Sequence, residues 1–341
     1  MKKGISFLMI SVSLFVLSCK DNSITPSPTD AVRELHILKL TSGEDLTLFS
    51  EKGNIGSIGF LNNNSIYFTN IYIYGNNANG YTYAEKLKIL DQSSLSQSNI
   101  FNAPSYIFNL KLFDQSQFLL ECNGDIYKVL SSGNYSENVT HSIDNESSVV
   151  LDESTNELFI GTKYSENNQI YKQNLITNQK TVLIDNNFNY LFPLHLNRNK
   201  TKLIYFEQNC ISDPNRGYIK VIDLQNPNNK TTLAECSIVT LLNSKISDDD
   251  KLVYCSDGRI YLIDLPTSEL KLIGFGNSVD ISKDGSKIVY SDNKRAIYLQ
   301  SLLSNENNLI TTGNLDYAYT PRFSPDGQKI IYITSEVNIH E

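Results

Sequence analysis

The chain has 341 residues, with 37 acidic against 29 basic side chains and a formal net charge of −8. An acidic surface of that kind argues against nucleic acid or anionic lipid as a partner. Beyond one N-terminal stretch, no segment is long and apolar enough to be a membrane span.

Met1-Lys2-Lys3 opens the chain on positive charge, Ile5 to Leu17 is apolar, and Val16-Leu17-Ser18-Cys19 ends the run on small residues and a cysteine. The run is too short to cross a bilayer comfortably and has the flanks of a secretory signal, so residues 1–18 read as a signal peptide. Its end resembles a bacterial lipobox, which implies that Cys19 becomes the lipidated first residue of the mature chain. The alternative is an ordinary signal peptide with an incidental cysteine. Several acyl chains on one residue anchor a protein without any transmembrane helix. Lys20-Asp21 resembles the tag by which some Bacteroidota send lipoproteins to the cell surface. These resemblances imply an outer-membrane lipoprotein of the cell envelope, periplasmic or surface-exposed. Residues 20–32 are polar, with two prolines, so 19–33 are expected to act as a lipidated cysteine followed by a flexible tether. Residues 34–341 are ample for one large all-β domain.

In that domain Glu34–Leu40 and Asp45–Phe49 read as two strands. Six fuller units follow, each with strand A, a tight turn, strand B, a loop, strand C and strand D. Strands B and C are marked by Ser65–Phe68 with Lys86–Leu90, Phe118–Leu120 with Asp125–Tyr127, and Leu158–Ile160 with Gln169–Tyr171. The fourth copy has Leu203–Tyr205 with Tyr218–Leu224. The last copies are clearest: Ser247 to Tyr254, Ser282 to Tyr290 and Ser324 to Tyr332 each give a polar turn, a lysine, two aliphatics and a tyrosine. Aspartate and glycine suit such turns because they tolerate left-handed backbone. Serine to serine, the steps are 35 and 42 residues, the period of a propeller blade.

The final unit, Thr320 to Ser335, holds only strands A and B. Joined to the N-terminal pair as its strands C and D, it closes a ring and removes the free sheet edges. The sequence therefore predicts an all-β, seven-bladed β-propeller; six or eight blades are the alternatives left by decay of the early copies.

The Ser-Pro-Asp-Gly-Gln-Lys-Ile-Ile-Tyr run at 324–332 and Ile260-Tyr261-Leu262-Ile263-Asp264-Leu265 resemble the WD40-like repeats of the TolB-type propeller. Those repeats are shared with the propellers of prolyl-oligopeptidase-like peptidases. The resemblance is strong over 244–335 and weak before 190. The chain has no room for TolB's extra α/β domain, and no hydrolase domain follows the last blade. The resemblance thus implies the fold and neither activity.

Catalytic constellations are sparse. His36, His141, His195 and His340 are spread along the chain without metal-ligand spacing, and neither a nucleophile elbow nor a phosphate-cradling glycine loop is present. No metal or other cofactor is implied. The Asp248-Asp249-Asp250 run sits at an A–B turn and lacks the alternating oxygens around a glycine of a calcium loop. Among the 20 tyrosines, Tyr205, Tyr254, Tyr290 and Tyr332 recur at one strand B position and Tyr127, Tyr171, Tyr261 and Tyr298 in strand C, as packing between blades requires.

Aromatics off the repeat template are candidates for a ligand face: Phe101, Tyr106, Phe188, Tyr190, Tyr317 and Tyr319, with Phe192 beside them. All precede a strand A, on connections that share one face with the B–C loops. They either stack on a sugar or grip a peptide, or plug gaps between blades. Counting back from each A–B turn gives Gly59, Leu112, Val150, His195, Lys245, Asp280 and Arg322 at one strand A position. The last four make a polar ladder along the channel, either self-satisfied structure or an anion site. Insertions at 69–84 and 207–217 follow strand B. Cys210 and Cys236 are candidates for a disulfide pinning the second, with Cys255 as a competitor for Cys236.

The function expected from these features is a lipid-anchored, monomeric, non-catalytic propeller binding a protein or glycan through its loop-rich face, with membrane contact only through its anchor. The alternative is a polysaccharide lyase or hydrolase with its site at the funnel.

Overall fold

The computed structural model describes residues 32–336 except 53, 78–79, 104, 114–115, 134–135, 141–144, 164–167, 187–188, 209–212, 214, 238–243, 295 and 312–315. The described residues form seven four-stranded antiparallel sheets and no helix. Six blades are consecutive in sequence: residues 54–103, 107–138, 145–186, 190–237, 245–275 and 278–309. Cys19 lies outside the described residues.

Blade 7 takes strands A and B from Asp316–Phe323 and Lys329–Glu336, and strands C and D from Val32–Lys39 and Glu44–Lys52. Strand C starts two residues before the expected Glu34. Its register is antiparallel, with Leu35 opposite Ile333 and Leu38 opposite Ile330. Arg33 donates to the Tyr319 hydroxyl and its guanidinium lies over that ring, so the first described residues are tied to the last blade.

The turn motif has a local cause. Ser282 Oγ donates to Asp284 Oδ1 (2.6 Å) and accepts from the Lys287 N–H (2.9 Å). Ser324 repeats both bonds with Asp326 and Lys329 at the same distances, and Ser247 with Asp249 (2.5 Å) and Lys251 (3.1 Å). One hydroxyl thus closes each turn while the next residue takes positive φ: Gly285 at 70°, Gly327 at 67°, and Asp250 at 60°. The three aspartates at 248–250 serve separate partners, Lys283, the Ser247–Lys251 turn and the Arg198 N–H.

In blades 5 and 6 the tyrosines of strands B and C also face each other within the blade. Tyr254 lies opposite Tyr261 and Tyr290 opposite Tyr298, stacked with centroids 5.3 and 5.4 Å apart. The apolar core sits in the seams. Phe192, Ile204 and Phe206 of blade 4 pack with Leu252 and Tyr254 of blade 5, and Leu35 and Ile333 of blade 7 with Phe60 and Phe68 of blade 1. Each such side chain contributes about 1.5–3 kcal/mol by leaving water, so closure of the last seam supports the whole ring.

The insertion at 69–84 is not a loop. Ser65–Asn77 and Gly80–Asp91 pair antiparallel, with a register shift between Ile73 and Gly75 and Asn77 opposite Gly80, as a hairpin extending blade 1.

Candidate functional site

Strand A of every blade runs beside the axis, and its register fixes which side chains face the channel. His195 lies opposite Ile204, Lys245 opposite Val253 and Arg322 opposite Ile331, equivalent positions in blades 4, 5 and 7. In blade 2 that position belongs to Lys111, opposite Leu119, and not to Leu112. No serine–aspartate–glycine signature anchors that A–B turn, so counting from it lands one residue late. The usable signal was Lys111 itself, a lone cation between Leu110 and Leu112 in an apolar strand.

These residues line an axial cavity of about 640 Å³, to which every blade except the sixth contributes. Gly56, Ile71, Glu85 and Tyr106 lie toward the face of the B–C loops and D–A connections, while Lys111, His195, Lys245 and Arg322 lie deeper. A second cavity of about 250 Å³, lined by Glu153, Asn197 and Arg198, lies toward the A–B turns. Lys111, Leu112, Leu194 and His195 line both.

The basic side chains of the axial cavity make few hydrogen bonds among the described residues. Lys111 Nζ donates to the Leu194 carbonyl (2.7 Å), and His195 Nε2 lies 3.1 Å from Ser244 Oγ. Arg322 Nη1 donates to the carbonyls of Val279 (3.3 Å) and Pro321 (2.8 Å). Asp280 departs from the expected ladder. Its carboxylate turns into the seam between blades 6 and 7, where Oδ2 accepts from the Phe323 N–H (2.8 Å) and Oδ1 from the Ile281 N–H (3.0 Å). It therefore staples two blades and does not line the cavity.

The electrostatics follow from that imbalance. Burial, reinforced by the charge of Lys245, pushes the Lys111 ammonium down to about 7. Burial and Arg322, partly offset by Asp280, bring Lys245 to about 8. His195 is held well below the usual imidazole range by burial and then by the two lysines, and is neutral at pH 7. Burial raises Asp280 above the ordinary carboxyl range against the pull of Arg322 and Lys245. On the wall, Glu85 is also raised by burial, although Thr69 and the Ile107 N–H (2.6 Å) bond to it.

Of the aromatic candidates, Tyr106 lines the cavity. The structure gives others to seams instead. Phe101 packs against Tyr127 at 5.8 Å between blades 1 and 2, Tyr190 joins the core of blades 4 and 5, and Tyr319 that of blades 7 and 1. Phe101 lies in strand D of blade 1, and Tyr190 and Tyr319 lie in strand A of blades 4 and 7, so each ring is held by its strand at the apolar gap to the next blade. Tyr317 is in strand A of blade 7, opposite Ser335. Phe188 and Cys210 lie outside the described residues. Cys236, the proposed partner of Cys210, is buried in strand D of blade 4.

No protein-family model matches the chain, and no curated protein matches it in sequence. Solved structures share its fold. An oligogalacturonate lyase from Vibrio parahaemolyticus superposes with a TM-score of 0.55 at 12% identity, over 85% of this chain and 99% of that one. An oligogalacturonate lyase in complex with manganese gives 0.54 at 11%, over 90% and 91%. TolB from Acinetobacter baumannii gives 0.50 at 14%, over 91% of this chain and 65% of that one, so the chain spans less than two thirds of that protein. At these identities the likeness is one of fold alone. The chain is a seven-bladed, TolB-like β-propeller.

Proposed function

We propose that the protein is a lipid-anchored, non-catalytic propeller of the cell envelope that binds a protein or glycan at its funnel. The observation that carries this reading is the cavity of about 640 Å³ on the loop-rich face, with Tyr106 on its wall and charged side chains at its floor. Cavities of this size with a few convergent polar groups are the usual form of a ligand site. The anchor and the envelope rest on the lipobox-like end at Cys19.

Catalysis is disfavoured by the surroundings of His195. His195 and Ser244 are within hydrogen-bond reach, but a histidine acting as base must become a cation. Lys111 and Lys245 oppose that step, and among the described residues no carboxylate steadies the ring. A divalent metal fits no better among these cations, and among the described residues no three histidine, cysteine or acidic side chains cluster as ligands would.

A second reading keeps one supporting observation. Lys111, with its ammonium near pH 7, is suited to proton transfer, as a polysaccharide lyase or hydrolase would need. A glycan array combined with a product assay separates the two. Retention of a ligand without turnover supports the binding reading, and turnover of any glycan overturns it. Pull-down from intact cells tests for a protein ligand.

A further inference from the structure

Lys111 of blade 2, Lys245 of blade 5 and Arg322 of blade 7 reach one cavity from different walls. They are poorly satisfied by the protein. Lys111 spends one of its three N–H donors, on the Leu194 carbonyl. Lys245 Nζ has no hydrogen-bond acceptor among the described residues, and Arg322 uses Nη1 alone, on two backbone carbonyls.

Compensating negative charge is equally scarce. Asp280 acts on Lys245 and Arg322, and both of its oxygens accept from backbone N–H groups in a seam. Glu85 is engaged by Thr69 and the Ile107 N–H, nearer the mouth. A purely structural ladder would alternate its charges and use up its donors. This one gathers three basic side chains around one cavity, and Lys245 Nζ has no acceptor among the described residues.

We propose that Lys111, Lys245 and Arg322 form an oxyanion site at the floor of the funnel, which takes a carboxylate, sulfate or phosphate carried by the ligand. This rests on the funnel being the binding site. Arg322 supplies a planar fork for two oxygens, and the lysines act as point charges from the opposite wall. The anion would take up the unused donors of Lys245, and the rest of the ligand would extend past Glu85 and Tyr106 to the mouth. His195, being neutral, adds a polar contact without charge.

The test is isothermal titration of the purified protein, at fixed ionic strength in chloride, with glucuronate, inorganic sulfate and inorganic phosphate in separate arms. Methyl glucoside is the neutral control. At least one oxyanion binds with one-to-one stoichiometry, and the arm that binds names the group. Lys111→Met and Lys245→Met each weaken that binding at least tenfold, whereas Lys271→Met, on an outer strand, leaves it unchanged. Arg322→Lys keeps the charge, guards against a folding defect, and weakens binding by losing the fork.

Absence of binding in all three arms overturns the proposal, as does binding that the lysine variants leave intact or that Lys271→Met weakens equally. If a neutral glycan or a protein binds and Tyr106→Ala abolishes it while the lysine variants do not, the funnel reading stands and the oxyanion site falls. If no ligand depends on any funnel residue, both fall.

Discussion

The His36 ring lies flat on Tyr332, with centroids 5.0 Å apart and planes 10° from parallel. The two residues face each other across the seam where the start of the chain meets its end. In blades 5 and 6 the corresponding pairs are tyrosine on tyrosine, so His36 holds the strand C place of Tyr261 and Tyr298. Its ring also contacts Thr334 Oγ1 at 3.0 Å, and the Tyr332 hydroxyl donates to Asp45. One stack thus joins strands B, C and D of the closing blade. Tyr332→Ala should cost about 3–5 kcal/mol, the range for deleting a buried aromatic, read from the urea midpoint. A loss under about 1 kcal/mol would mean that the ring does not depend on this seam.

The repeated serine hydroxyl makes a smaller, more general contribution. Ser282→Ala and Ser324→Ala each remove a bond to the turn aspartate and one from the following lysine N–H. Each change should lower stability by about 1 kcal/mol. The turns belong to different blades and share no partner, so the double variant should lose the sum. A double variant no weaker than either single one would contradict this.

The axial lysines should act the other way. Lys245 is held at about 8 and forms no hydrogen bond among the described residues. Lys245→Met should therefore stabilise the unliganded protein by about 1–3 kcal/mol while removing affinity. Thermal or urea unfolding checks it, and a destabilised variant would show that the ammonium is structural. Stability exchanged for a site is the usual pattern where function requires an unfavourable charge.

The same shifts set a pH dependence. In the folded chain Lys111 titrates at about 7 and Lys245 at about 8, both below the 10.5 of a free lysine. Between these values the unfolded chain holds more protons, so stability rises with pH. The penalty is complete below about pH 7 and is relieved as pH climbs toward the free value. From pH 7 to 8.5 the unliganded protein should gain about 2 kcal/mol, and a Lys111→Met, Lys245→Met double variant should lose most of that slope. An unchanged slope would place these ammonium groups in contact with water.

Much of the fold was legible because its signals are local. The Ser-x-Asp turn is closed by bonds among residues five apart or fewer, so it leaves a mark in sequence wherever it occurs. The ring closure could be read because half a blade stood at each end of the chain. What the sequence concealed depends on register. Lys111 was missed because a turn without the motif offers no fixed point from which to count. Asp280 has the right position but turns to the Phe323 N–H of the next blade, a preference set by a neighbour remote in sequence. The sequence reads Phe101, Tyr190 and Tyr319 as a loop face because it does not record where each strand begins and ends or which side of it meets the adjoining core. The extended hairpin of blade 1 resembled a loop because asparagines and glycines interrupt its alternation.

The most direct measurement is a crystal structure of the protein grown with whichever of glucuronate, sulfate or phosphate binds tightest in titration. Difference density for the anion is expected on the axis, within hydrogen-bond distance of Lys245 Nζ and the Arg322 guanidinium, with Lys111 on its far side. An empty floor at saturating concentration, or an anion held only on the outer surface, would contradict it.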